Sequence, residues 1–177
     1  MKRGAGKAKG SAFERDVAKA LSLWLTRGTD STQLIRSVLS GGWSHGHKAP
    51  SGFRQVGDLA PNGPFGEAFR REYAVECKHR RSIDLYGVWT RSAASDDLKG
   101  WWKKICEDSE AAGVMPMLIW RQNGRPIMVA MEDIHRATDG DTGMQIWFDE
   151  PGLPNMHVML FSELLKCDPA HIVGAAV

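Results

Sequence analysis

No apolar run in this sequence approaches the roughly 18–20 residues that a membrane-spanning helix needs, so no such helix is expected. The first residues, Met1-Lys2-Arg3-Gly4, are basic, but no apolar stretch follows directly, so no signal peptide is expected either. Cysteine is scarce. Cys77, Cys106 and Cys167 are an odd, widely spaced set with no C-x-x-C pair. That argues against a disulfide framework and fits a reducing cytoplasm. His45-Gly46-His47, taken with Cys77 or His79, matches no zinc-finger or ribbon spacing. Internal repeats and linkers are missing too. With 177 residues, 42% of them hydrophobic, the chain reads as one domain with a real core.

Net charge is also small, at +2, but it is unevenly placed. Residues 1–104 hold 19 Lys and Arg against 10 Asp and Glu, whereas residues 105–177 hold 4 against 11. A basic first half and an acidic second half point to a polyanion bound on one side, unless the asymmetry is simply that of a solvated surface.

Residues 1–10 read as a flexible basic arm, on which Lys2, Arg3, Lys7 and Lys9 can add sequence-blind affinity for a polyanion. Ser11 with Glu14 has the capping-box spacing, and Phe13, Val17, Leu21, Trp24 and Leu25 then recur at helical intervals. Glu14 sits at the edge of that stripe. Residues 28–55 show little periodicity beyond a short strand at 34–38, and loops of that length usually carry function or move. Arg36, Ser40 and the glycines beside it, Lys48 and Arg54 are candidate polyanion contacts on this loop, the alternative being a plain mobile loop. Trp43 can stack on an exposed base or pack onto its own protein.

Strands are expected at 56–60 and 73–78, followed by an irregular polar stretch over 79–97. Asn62-Gly63-Pro64 reads as a turn. A helix is expected over 98–112, with Gly113 ending it, then a hairpin of strands 115–120 and 126–131 turning at Asn123-Gly124. Two more strands, at 145–148 and 157–161, precede a short helix capped by Ser162. Trp101, Trp102, Trp120 and Trp147 fall on apolar positions and are read as core or interface. The order of elements predicts an α/β fold around a mixed sheet. The core is placed at 11–131, with 132–177 as an extension whose apolar residues can complete a dimer interface.

One pattern carries chemistry. In Tyr73-Ala74-Val75-Glu76-Cys77-Lys78 the strand alternation puts Glu76 and Lys78 on one face and Cys77 on the other. Asp58, in Gly57-Asp58-Leu59, supplies a second carboxylate. Two carboxylates can hold a hard divalent cation, and Mg²⁺ binds through one or two of them while keeping several waters. Asp58 and Glu76 are the natural ligands, with the backbone carbonyl of Cys77 another. Lys78 can hold or help deprotonate an attacking water, and Glu14 can bind a second cation directly or through water. Such a set suits phosphodiester hydrolysis. The competing reading is a surface ion pair between Glu76 and Lys78. Arg80 and Arg81, just past Lys78, can grip flanking phosphates or form a solvated basic turn.

Taken together, Phe13-Glu14-Arg15, Gly57-Asp58-Leu59 and Val75-Glu76-Cys77-Lys78 resemble the PD-(D/E)xK nuclease superfamily, in particular its phage and archaeal Holliday-junction-resolvase-like branch. Leu98-Lys99-Gly100-Trp101-Trp102, followed by Pro116-Met117-Leu118-Ile119-Trp120-Arg121, resembles the helix and strand that close the fold in phage members. The resemblance covers residues 11–131. It implies a restriction-endonuclease-like core, a mixed central sheet flanked by helices. It also implies Mg²⁺ or Mn²⁺ as cofactor, Glu14, Asp58, Glu76 and Lys78 as the active residues, and branched DNA cut by a homodimer. Gly57 stands where the superfamily's proline would be, as is usual in the resolvase-like branch, and Lys103 and Lys104 occupy a stretch where phage relatives often carry a Gln. A DNA-binding or replication-accessory module that kept the fold without cleavage, a nuclease acting on other DNA, and a structural phage protein are the alternatives.

Overall fold

The apolar stripe that begins at Phe13 folds as a helix, α1 (Ala5–Leu25), in the computed structural model of the chain. The structure describes residues 5–37, 56–84, 98–132, 144–147 and 152–173, and side chains only from residue 8 onward. Helix α1 already includes residues 5–10, expected as a free arm, so Ser11 lies inside it and does not cap it.

Strand β1 (Leu34–Arg36) follows and pairs antiparallel with β2 (Leu59–Pro61) as a separate two-stranded sheet. Asp58 therefore stands just before its strand. The expected turn at 62–64 instead opens a second helix, α2 (Pro64–Glu72), with proline at its start, where the missing N–H costs no helical bond. This helix, only nine residues long, is absent from the sequence-based expectation, although Phe65, Ala68 and Phe69 share its apolar side and pack on the core.

The main sheet has five strands in the order β3-β4-β5-β7-β6. Strand β3 (Tyr73–Arg80) runs parallel to β4 (Met115–Gln122), and the crossover between them contains helix α3 (Leu98–Glu110). Strands β5 (Ile127–Met131), β6 (Met144–Ile146) and β7 (Met156–Leu160) add antiparallel pairings, so the sheet is mixed, as expected. The sequence-based boundary at residue 131 does not correspond to an edge of the fold. Strand β7 lies between β5 and β6, and two short helices, α4 (Phe161–Leu164) and α5 (Pro169–Val173), pack into the same core. Ser162 is the second residue of α4, so it is not its cap. Two tryptophans tie this region down: Trp24 Nε1 donates to the Cys167 carbonyl and Trp102 Nε1 to that of Pro154, each at 2.8 Å.

Strand alternation divides the core into two layers. Val75, Cys77, Met117, Ile119, Val129, Met131 and Met159 face α1 and the other helices of its side. Ala74, Leu118, Trp120, Ala130 and Val158 face α3 through Leu98, Trp101, Trp102 and Ile105. Trp101, Trp102 and Trp120 are thus core residues, whereas Trp147 is 68% exposed and is not. Among the described residues no helix is long and apolar enough to cross a membrane.

Candidate active site

At the end of the main sheet's strand order, β3 continues past its apolar half into Glu76, Cys77, Lys78, His79 and Arg80. Cys77 points into the α1 layer and is buried. Glu76 and Lys78 therefore point to the α3 side, where Lys78 Nζ donates to Glu76 Oε1. The pair is sheltered: the side chains are only 21% and 10% exposed for Lys78 and Glu76, unlike an ordinary surface ion pair.

Asp58 reaches this point from the small sheet and is held on three sides. Its N–H donates to the Val75 carbonyl at 2.7 Å, its carbonyl accepts from Ser37 N–H at 2.7 Å, and its carboxylate Oδ2 accepts from Cys77 N–H at 2.8 Å. Gly57 makes the approach possible. Its φ is +83°, and a Cβ built there would lie 2.4 Å from the Val75 carbonyl oxygen. Only glycine both adopts that conformation easily and lets the two backbones come so close. The glycine in place of the superfamily's proline thus has a steric explanation.

The electrostatics record crowded negative charge. Burial first, then the neighbouring Glu76 carboxylate, push the Asp58 carboxyl up to about 7, against the opposing pull of the Cys77 N–H and of Lys78. Glu14 on α1 adds to this push, so it too lies within electrostatic reach. It forms an ion pair with Arg36. Burial also raises the Cys77 thiol well above its ordinary value, so it stays neutral and unreactive.

Among the described residues, no three of His, Cys, Asp and Glu converge closely enough to hold a metal unaided. Asp58 and Glu76 still fit a magnesium-type ion, which takes one or two carboxylates and fills its other positions with water and substrate oxygens. A buried carboxyl pushed up beside a second carboxylate is the donor set a dication relieves.

Beyond Lys78 the surface is basic. Arg80 lies 5.2 Å over the Trp101 ring, Arg81 is exposed, and Lys9 donates to Asn123 in the β4–β5 turn. Of the residues expected to act, Asp58, Glu76, Cys77 and Lys78 come together, Glu14 stands close by, and Arg36 is engaged with Glu14. The Lys7 side chain and the residues Ser40, Lys48 and Arg54, with Trp43, His45 and His47, lie outside the described residues.

One charged group near the site is not evident from the sequence. Lys104 on α3 feels both carboxylates. Burial pulls its ammonium down, but the hydrogen bond to Asp108 and the charges of Glu76, Asp108 and Asp58 raise it overall. The available clue is its position three residues after the buried Trp101, on the flank of α3's apolar face.

A family model described as "Phage putative PDDEXK endonuclease" matches residues 5–148. No curated protein and no solved structure matches the chain.

Proposed function

The chain belongs to this family of phage PDDEXK endonucleases, and on that premise we propose that it is a divalent-metal-dependent DNA endonuclease whose working residues are Asp58, Glu76 and Lys78, with Glu14 in support. The observation that carries this reading is the convergence of two carboxylates and a lysine at β3, one carboxyl being displaced to about 7 by burial and by the other. Mg²⁺ or Mn²⁺ bound by Asp58 and Glu76 would acidify a water and offset charge on the phosphate oxygens. The protein's own groups do the rest. Cys77 N–H fixes one Asp58 oxygen, leaving the other free to coordinate. Lys78, already hydrogen-bonded to Glu76, has further N–H donors with which to orient the attacking water. The Cys77 carbonyl is a further candidate ligand. Arg36, drawn toward the site by Glu14, and Arg80 and Arg81 beyond it would contact flanking phosphates, with Lys9 at the far end of the same basic surface. Cleavage would leave 5′-phosphate and 3′-hydroxyl ends.

Glu76→Gln is expected to reduce cleavage of a labelled duplex or junction in Mg²⁺ by about 10³-fold or more, because it removes a ligand and the lysine's charged partner. Near-normal cutting by this variant would remove Glu76 from the proposed site.

The finer reading is branched DNA, such as a four-way junction, cut by a homodimer in the host cytoplasm. It is supported by the resolvase-like combination of Glu14 on α1, Gly57-Asp58 and Glu76-x-Lys78, and by the need for two symmetric nicks at a junction. None of Cys77, Cys106 and Cys167 is in a disulfide, which accords with a reducing compartment. The four-way junction is expected to be cut at least about tenfold faster than linear duplex, flap or single strand of equal length, a specificity of about 1.4 kcal/mol in the transition state. Equal rates on all four would reject the junction claim. Retained salt-sensitive DNA binding without cleavage in any divalent metal would instead favour a binding module.

A further inference from the structure

The face of β3 that carries Glu76 and Lys78 is the face on which α3 packs, since Ala74 of the same face lies in the layer with Trp101 and Trp102. Arg80, next along that face, sits against Trp101. Lys104 follows Trp101 by three residues and so stands beside it on the helix surface. Its ammonium is hydrogen-bonded to Asp108, one turn further on, and its side chain is 59% exposed. Asp108 thus orients the lysine without consuming it, because an ammonium has three N–H donors. Lys103, the preceding residue, is on the other flank of the helix. It lines a cavity of about 520 Å³ with Cys106, Glu107, Glu110 and Glu132. The two adjacent lysines therefore face different surroundings.

We propose, resting on the nuclease reading above, that Lys104 is a second catalytic lysine, which donates to a non-bridging oxygen of the scissile phosphate from the α3 side while Lys78 serves the attacking water. The division of labour follows from placement. Lys78 is hydrogen-bonded to Glu76 and belongs to the carboxylate cluster, whereas Lys104 stands on a separate element, one turn past the tryptophan that Arg80 covers, and keeps an exposed head. It stays protonated throughout. Its contribution is fixed positive charge where charge accumulates in the phosphorane, and it makes and breaks no bond.

The test compares Lys104→Gln, Lys104→Arg and Lys103→Gln in the full-length protein, using single-turnover cleavage in Mg²⁺ at saturating DNA and DNA affinity in Ca²⁺. The expected result for Lys104→Gln is a rate lower by roughly 10–100-fold, with affinity changed by no more than about threefold, the scale of a single lost phosphate contact. Lys104→Arg should recover much of the rate. Lys103→Gln, which removes the same charge one residue away, should leave both quantities near wild type. Thermal melting of Lys104→Gln should match wild type, since its side chain is mostly exposed. A wild-type rate for Lys104→Gln, a loss confined to affinity, or an equal loss in Lys103→Gln would each overturn the assignment. Failure of the wild-type protein to cut any DNA would overturn the nuclease reading itself, before any variant is compared.

Discussion

Asp58→Asn is expected to abolish cleavage and, in EDTA at pH 8, to raise the melting temperature. The two effects have one cause. An Asp58 carboxyl displaced from 3.8 to about 7 is easier to ionise in the unfolded chain than in the folded protein. Between those values the native state binds more protons than the unfolded state, so rising pH lowers stability. The penalty is absent below about pH 4, grows toward pH 7 and is complete above it. Each pH unit by which the carboxyl is displaced corresponds to about 1.4 kcal/mol. Allowing for solvent on the outer side of this partly buried group, the full penalty is about 2–3 kcal/mol. Asparagine keeps an oxygen for the Cys77 N–H and carries no charge, so the variant should gain roughly 4–12 °C at pH 8 and almost nothing at pH 4. Mg²⁺ should stabilise the wild type and not the variant, since ligand that binds only the native state raises stability. Melting curves at both pH values, with and without Mg²⁺, check all of this. A variant that melts at or below the wild-type temperature at pH 8 in EDTA would show that Asp58 is not crowded as described.

Gly57→Ala should damage both stability and activity. The new Cβ would sit 2.4 Å from the Val75 carbonyl oxygen and 3.0 Å from the carbonyl carbon and amide nitrogen of the same residue. These are backbone atoms of a buried strand, with no flexible side chain to move aside. The positive φ adds its own cost of about 1 kcal/mol. Relief requires residues 57 and 58 to lift off β3, which breaks the Asp58 N–H bond to Val75 and the Cys77 N–H bond to the carboxylate. A loss of about 2–4 kcal/mol and a rate reduced at least about 100-fold are expected from denaturant unfolding and single-turnover cleavage. Gly28 and Gly124 provide controls, because both have positive φ but nothing within 4 Å of where an added methyl group would stand. Alanine at either should cost only about 1 kcal/mol and leave cleavage intact. If all three variants behave alike, the contact with Val75 has no special role.

Much of this arrangement is legible in the sequence. The alternation of Val75, Glu76, Cys77 and Lys78 is enough to place the acid and the ammonium together, because a strand permits only two directions for a side chain. The stripe on α1 and the buried face of α3 are equally plain from helical spacing. Elsewhere the local signal is missing. Helix α2 is short and begins in a turn signal, which hides its apolar side of Phe65, Ala68 and Phe69, and β6 and β7 look like an appendage because nothing in a single strand says which neighbour it will pair with. The ion pair of Glu14 with Arg36 joins residues 22 apart on different elements, and in the sequence Lys104 is indistinguishable from Lys103 as part of a basic stretch. Tertiary placement alone separates the two lysines. Gly57 shows in the sequence only as a departure from a pattern, and the distance to Val75 explains it.

Among the described residues β3 is the terminal strand of its sheet, and its first five residues are buried and mostly apolar. An apolar strand with an unpaired edge is a template for pairing with other chains. The Gly57-Asp58 backbone covers part of that edge through the Asp58 N–H bond to Val75, and Glu76 and Lys78 place charge farther along it. The residues that assemble the active site therefore also shield part of this edge from pairing with a second molecule. Solubility and catalysis share a determinant here, so variants that dislodge Gly57 should aggregate on concentration as well as lose cleavage.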